Sequence, residues 1–424
     1  MEKERLWLVG VTVFLLSAPS AVWGDELSEL KAQIAQIQQE NQALRQQVGT
    51  LLPRIEALEK PGARAVARGA ETAPAQETPR EPALERELGP PSFIHVPHLN
   101  VRGFADTQFN AKWTDSEQSN TFAEGAVDFY ATSEVTDQVS ALVEADFNSD
   151  TENAVTYRLE RALVKYAFSD LLNVTMGRMH VPVGYWWPAT HHGNWLQTTI
   201  NRPDIALSEG ENGAFIPVHQ IGINLSGVKE FTGVDVAYDA GVFNGRGRTV
   251  TEVQHVKDKN DGKAVNLRVS LHPQAIEGLT VGGNVWFDEI PSNPPTAARR
   301  EAINELILGE YATYFHDKVE LIGELLNIYH DDKTSGEEFD TVGLYLQGGY
   351  RIEKWMPYYR FDYIDVANSD PFYTTPRNLD RLRHTLGIRW DFLPWNAVKV
   401  EYSRLNVDQG DDEQALQANW SFAF

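Results

Sequence analysis

From His98 onward, apolar and polar residues alternate with a period of two, in segments separated by turn residues. The last segment shows the pattern plainly. Leu416, Ala418, Trp420, Phe422 and Phe424 fall on one face, and Gln417, Asn419, Ser421 and Ala423 on the other. Such a segment is a β-strand with one apolar and one small, polar face. Repeating the count predicts sixteen strands: Leu99–Trp113, Phe122–Glu134, Gln138–Asn148, Val155–Phe168, Leu172–His180, His219–Val228, Val234–Asn244, Ala264–His272, Leu279–Glu289, Ile303–Phe315, Lys318–His330, Phe339–Ile352, Tyr358–Val366, Arg383–Phe392, Ala397–Asn406 and Glu413–Phe424.

The connections sort by parity. Even-to-odd ones are tight, as at Thr136-Asp137, Ser169-Asp170, His316-Asp317 and Pro394-Trp395. Odd-to-even ones are longer and polar: Trp113–Thr121, Val181–Pro217, Gly245–Lys263, Ile290–Ala302, Asp331–Glu338 and Ala367–Leu382. Short turns on one rim and long loops on the other are the mark of a membrane barrel. A β-sandwich has no reason to sort its loops this way. The predicted fold class is all-β, a transmembrane antiparallel β-barrel of about sixteen strands with an N-terminal α-helical coiled coil. Closure also removes the apolar edge that the final strand would otherwise expose.

The N-terminal part reads differently. Lys3 and Arg5 precede an apolar run from Leu6 to Leu16 and a small residue, Gly24, which is the layout of a secretory signal peptide over 1–24. Across 25–60, apolar residues recur at alternating three and four: Leu27, Leu30, Ile34, Ile37, Leu44, Val48, Leu51, Ile55 and Leu58, with Asn41 at an a position. This predicts a periplasmic coiled coil whose a and d residues lean toward a parallel dimer. The Pro- and Ala-rich stretch 61–97 has too few apolar residues to fold and is read as a linker. The barrel is assigned to 98–424.

Composition narrows the function classes. A net charge of -23 argues against a nucleic-acid partner. With no cysteine in the chain, disulfides, lipoprotein anchoring and thiol chemistry are excluded. A mean hydropathy of -0.38 is compatible with a barrel, half of whose strand residues face water. The 11 Trp and 15 Tyr suit interfacial girdles.

The segments ANWSFAF at the end of the chain and VPVGYWWPATHHGNWLQTTINRP from Val181 to Pro203 carry a resemblance to Gram-negative outer-membrane porins. The heptads resemble the periplasmic coiled coil of a subset of those porins, including some proposed for dicarboxylates. The resemblance implies a sixteen-stranded barrel, a long third loop folded into the lumen and a trimer, where the heptads alone lean to a dimer. It also implies assembly into outer-membrane lipid by the barrel assembly machinery, which reads the C-terminal strand.

Alternation nominates lumen-facing charges. These are Arg268, Arg360, Arg383, Arg389 and Lys399 against Asp128, Glu144, Asp146, Asp362 and Glu401. They fit either a transverse field across a channel or ion pairs that fill the interior. In the third loop, Tyr185, Trp186, Trp187 and Trp195 are read first as packing the loop against the wall. The alternative is a constriction in which these rings stack a solute while Arg178 and Arg202 hold an anion, with His191 and His192 beside them. His180, His191, His192 and His219 lack HxH or HxxxH spacing, so neither metal nor cofactor is expected. The chain carries no G-x-S-x-G elbow, P-loop or HExxH, so no enzyme is expected. The leading expectation is a homo-oligomeric channel for passive diffusion of small hydrophilic, including anionic, solutes. The alternative is a barrel anchor whose stalk tethers peptidoglycan or a periplasmic partner.

Overall fold

The computed structural model describes residues 98–149, 155–190, 193–207, 214–252, 258–292, 301–373, 380–408 and 410–424. The expected signal peptide, coiled coil and linker lie outside the described residues. The strands are β1 (His98–Thr114), β2 (Gln118–Glu134), β3 (Val139–Ser149), β4 (Val155–Ser169), β5 (Leu172–His180), β6 (His219–Phe231), β7 (Val234–Phe243), β8 (Ala264–Pro273), β9 (Leu279–Ile290), β10 (Ile303–His316), β11 (Val319–Asp332), β12 (Glu338–Tyr350), β13 (Trp355–Asp365), β14 (Arg381–Leu393), β15 (Asn396–Val407) and β16 (Glu413–Ala423). They form one closed antiparallel barrel in which sequence neighbours pair and β1 meets β16.

The seam runs in register from Phe104↔Ala423 to Thr114↔Glu413. Gly103 and Phe424 exchange both backbone hydrogen bonds, at 2.8 and 3.0 Å, so the last residue locks the closing strand pair. Closure leaves no unpaired edge.

Side chains alternate across the wall as the sequence pattern requires. On β8, Val265, Leu267, Val269 and Leu271 are exposed on the outside while Asn266 and Ser270 are buried inside. On β15, Val400 and Tyr402 are exposed, and Lys399 and Glu401 are buried. An apolar exterior over a fully paired backbone is the form in which strands cross a bilayer.

One connection differs from the sequence expectation. β2 starts at Gln118 rather than Phe122, and its pairing with β1 continues from Phe109↔Phe122 to Trp113↔Gln118. The first external connection is therefore only the short turn 115–117, not the predicted long loop. Gln118, Ser119, Asn120 and Thr121 lack alternation because all four are exposed, so hydrogen bonding alone fixes them as strand.

The interior is not polar throughout. On β9–β13 the inward positions include Trp286, Ile290, Ile303, Ile307, Ile322, Leu326, Ile328, Tyr345 and Ile364, all buried. They join one apolar core with Val181, Val183, Trp186, Trp187, Ile205, Phe215, Ile216 and Val218 of the connection between β5 and β6. The described residues of that connection, loop 3 (181–218), lie inside the barrel.

Candidate functional site: a loop clamped across the lumen

Loop 3 leaves β5 and turns inward at Gly184, whose φ is +67°. A Cβ built there would lie 1.7 Å from Glu324 Oε1, so only glycine fits this turn. The turn allows the Tyr185 amide to donate to Glu324 Oε1 at 2.9 Å and the Trp186 amide to Oε2 at 3.3 Å. Asn284 Oδ1 accepts from the Gly184 amide at 2.8 Å, and Asn266 donates to Pro182 O at 3.0 Å. A short helix α1 (Trp186–Thr190) follows, with both tryptophans buried. Trp186 meets Tyr345 edge-on at 6.0 Å, and Arg202 lies over the Trp187 ring at 5.2 Å.

The loop then crosses to the opposite wall. At Gly193 (φ +81°) a Cβ would strike the Phe104 ring on β1 at 2.5 Å. Phe104 in turn stacks on Trp195 at 6.5 Å, and the Gly193 amide bonds Asp128 on β2. Asp106 Oδ2 gathers three amide donors: Gln108 at 2.8 Å, Asn419 at 2.7 Å and, from the loop, Asn194 at 3.3 Å.

From here the loop is held mainly by charged strand residues gripping its backbone. Arg389 Nη1 donates to Trp195 O and Gln197 O, both at 2.8 Å. Lys399 Nζ donates to Thr199 O at 2.9 Å and also to Asn194 O. Arg360 reaches Thr199 Oγ1, Asn201 O and Arg202 O at 2.9, 2.7 and 3.0 Å, and ion-pairs Asp362 at 2.8 Å. Glu401 accepts from the Ile200 amide at 2.8 Å and Tyr358 at 3.0 Å. Asp362 accepts from the Asp204 amide at 2.9 Å, at the start of a 3-10 turn (Asp204–Ala206), and Arg383 holds the Asp204 carboxylate at 3.0 Å.

The charges nominated from sequence thus separate into two groups. Arg360, Asp362, Arg389, Lys399 and Glu401, all buried, and the partly buried Arg383 come together along β13–β15 and engage loop 3. Glu144 and Asp146 on β3 are buried beneath Arg161 and Arg158, with Arg158 Nη2 2.9 Å from Asp146. Arg178 donates to Glu160 O at 2.9 Å, next to a bulge in β4, and does not meet the clamp. Arg268 sits 5.1 Å over the Tyr311 ring and 3.5 Å from Asp239. His191 and His192 lie outside the described residues. Among the described residues, no group of three or more His, Asp or Glu side chains is arranged to hold a metal ion.

Sequence reasoning missed Glu324, Asn284, Gly184 and the apolar inward face of β9–β13. A signal was present, since Leu306-Ile307-Leu308 puts apolar side chains on both faces of β10, a pattern of strands buried on two sides.

Electrostatics follow burial. Desolvation pulls the Arg202 guanidinium below its ordinary value, against the opposing pull of Asp128 and Glu160. Burial, reinforced by Glu320 and Glu324, pushes the Tyr185 phenol up. Arg246, in external loop 4 (244–263), behaves oppositely. Burial disfavours its charge, but Glu305, Tyr373 and Asp288 outweigh that and hold it above its usual value.

Above the clamp, at the external ends of β1 and β14–β16, a cavity of about 280 Å³ opens into the lumen. Its walls include Lys112, Arg202, Arg381 and Arg383 against Asp204 and Glu413. Cations outnumber carboxylates there.

No protein-family model and no curated protein matches the sequence. Solved structures do. The outer-membrane channel DcaP of Acinetobacter baumannii superposes with a TM-score of 0.56 at 11% identity, over 77% of this chain and 97% of that one. An anion-selective porin from Comamonas acidovorans gives 0.55 at 12% identity, over 78% and 100% of the two chains. The fold is that of the outer-membrane porins. Salmonella typhi OmpF agrees, with a TM-score of 0.51 at 13% identity over 76% and 97%. In this porin fold the third loop lies within the barrel, as the resemblance implied.

Proposed function

We propose that the chain is a Gram-negative outer-membrane channel for passive diffusion of small hydrophilic solutes, with anions favoured. The observation that carries the channel reading is loop 3 itself. A barrel serving only as an anchor has no need to fold a long loop through its lumen and fasten it with five buried charged side chains (Arg360, Asp362, Arg389, Lys399 and Glu401) and the partly buried Arg383. A loop held so firmly gives the lumen a fixed cross-section, which a size-selective path requires.

The anion preference rests on the external cavity. Lys112 and Arg381 border it beside Arg202 and Arg383, and the excess positive charge raises the local anion concentration. Loop aromatics Tyr185, Trp186, Trp187 and Trp195 fix the loop rather than touch solute. The protein acts as a homo-oligomer, trimer or dimer, inserted into outer-membrane lipid through the C-terminal strand and the barrel assembly machinery.

The test is the zero-current potential of the purified protein in a planar bilayer under an about tenfold KCl gradient. The expected sign is that of an anion-selective path. The double variant Lys112→Gln/Arg381→Gln should lower the chloride-to-potassium permeability ratio about two- to fivefold. Cation selectivity, or a ratio indifferent to both substitutions, would refute the anion preference. A membrane that never conducts would favour the anchor reading instead.

A further inference from the structure

A second buried polar cluster, near the external rim, takes no part in the clamp on β13–β15. His330 on β11 places Nδ1 2.8 Å from Asp370 Oδ2, in external loop 7 (366–380), and Nε2 3.1 Å from Glu305 Oε2 on β10. All three side chains are at most 1% exposed. A neutral imidazole has one N–H, so it would satisfy one carboxylate and turn a lone pair on the other. Two carboxylates at the two ring nitrogens therefore fit an imidazolium that donates to both.

The surroundings sharpen the balance. Arg246 of loop 4 donates to Glu305 at 2.9 Å, and Trp286 on β9 donates to the same oxygen at 3.2 Å. Asp288, also on β9, accepts from the Arg246 amide at 2.7 Å. From loop 7, the Tyr373 ring lies 5.0 Å from the imidazole and its hydroxyl donates to Phe215 O of loop 3 at 2.8 Å. Asp332, further along β11, is occupied by the turn at Thr334 and Ser335. Among the described residues, the carboxylates facing this pocket are Glu305, Asp288 and Asp370, and the cations are Arg246 and the His330 ring. Loss of the ring proton leaves Arg246, among the described cations, to face three acids in a buried site.

The two carboxylates on the ring are not equally secured. Glu305 keeps Arg246 and Trp286 whatever His330 does. Among the described residues, Asp370 retains the Phe372 amide, 2.8 Å from its other oxygen and part of the same loop. Loop 7 is therefore the side that lets go. We infer that His330 is a proton-operated latch: its imidazolium fastens loop 7 to the barrel wall over the outer arm of loop 3, and deprotonation releases the 366–373 segment. The sign is fixed by the donors. The latch is closed while the ring is protonated and opens as pH rises.

The chain has no cysteine, so Asn368→Cys carries a single spin label at an exposed position of loop 7. Its electron paramagnetic resonance spectrum is followed in the refolded protein from about pH 5 to about pH 10. The expected result is a mobile fraction that rises severalfold with pH along a single-proton curve. The same label should give a flat profile in Asp370→Asn, where an amide meets either form of the ring, and in His330→Gln. If His330→Gln does not refold, Asp370→Asn, a loop substitution, decides the matter. A label immobile over the whole range, or an unchanged pH curve in Asp370→Asn, overturns the latch.

Discussion

Replacing Arg360 by Met should release the middle of loop 3 while leaving the barrel intact. The guanidinium is fully buried and joins three loop acceptors to β13 while pairing with Asp362. Hydrogen bonds from a charged group contribute about 1.5–3 kcal/mol each. Methionine keeps much of the packing but strands the Asp362 carboxylate, whose other donor is the Asp204 amide. Breaking a buried pair by removing one partner costs about 3–5 kcal/mol. Taking about 4 kcal/mol, local opening of loop 3 rises about a thousandfold. Amide hydrogen exchange read by mass spectrometry checks this directly. Peptides covering 198–204 should lose protection by that order, whereas peptides from β10 and β11 keep theirs. Arg360→Met/Asp362→Leu should recover part of the loss, because the stranded charge is gone although the loop acceptors still lack their donor. Loop protection within about threefold of the parent, or a loss spread evenly over the barrel, would refute the clamp.

Trp187→Ala empties a fully buried site at the root of the loop and should cost about 3–5 kcal/mol of local stability, seen as faster exchange across 185–206. Gly184→Val combines a positive φ with a Cβ that meets Glu324, so the loop should refold out of place, raising the open-channel current noise well above the parent's. Asp106→Leu removes the acceptor of Gln108, Asn194 and Asn419 and should loosen the 193–197 segment selectively, with the thermal midpoint of the barrel nearly unchanged.

Strand number, order and facing could be read from the sequence wherever one face meets an apolar surroundings and the other does not. Val265 to Leu271 and Val398 to Tyr402 show why: the wall sorts side chains by parity, and parity is a local property. The pattern failed at Gln118–Thr121, where all four residues are exposed and polarity ceases to distinguish the faces. It also misled over the interior of β9–β13, where inward Ile303, Ile307 and Leu326 are apolar because loop 3, not water, covers them. The nominated charges were found on the inner wall, but their task was not legible. Arg389 grips the carbonyls of Trp195 and Gln197, and Lys399 those of Asn194 and Thr199, contacts that join distant parts of the chain. Periodicity tells which way a side chain points and is silent on what a folded loop brings to meet it. Gly184 illustrates the same limit, since it follows β5 and its necessity depends on a glutamate of β11, far away along the sheet order.

The central claim is that this porin-fold barrel conducts through a lumen narrowed by a clamped loop 3. Its most direct test is single-channel recording of the purified protein in planar bilayers, parent beside Arg360→Met. Discrete, uniform conductance steps for the parent, with noisier and larger steps for the variant, are the predicted outcome. A parent protein that inserts and stays silent, or a variant whose steps match the parent's, would contradict it.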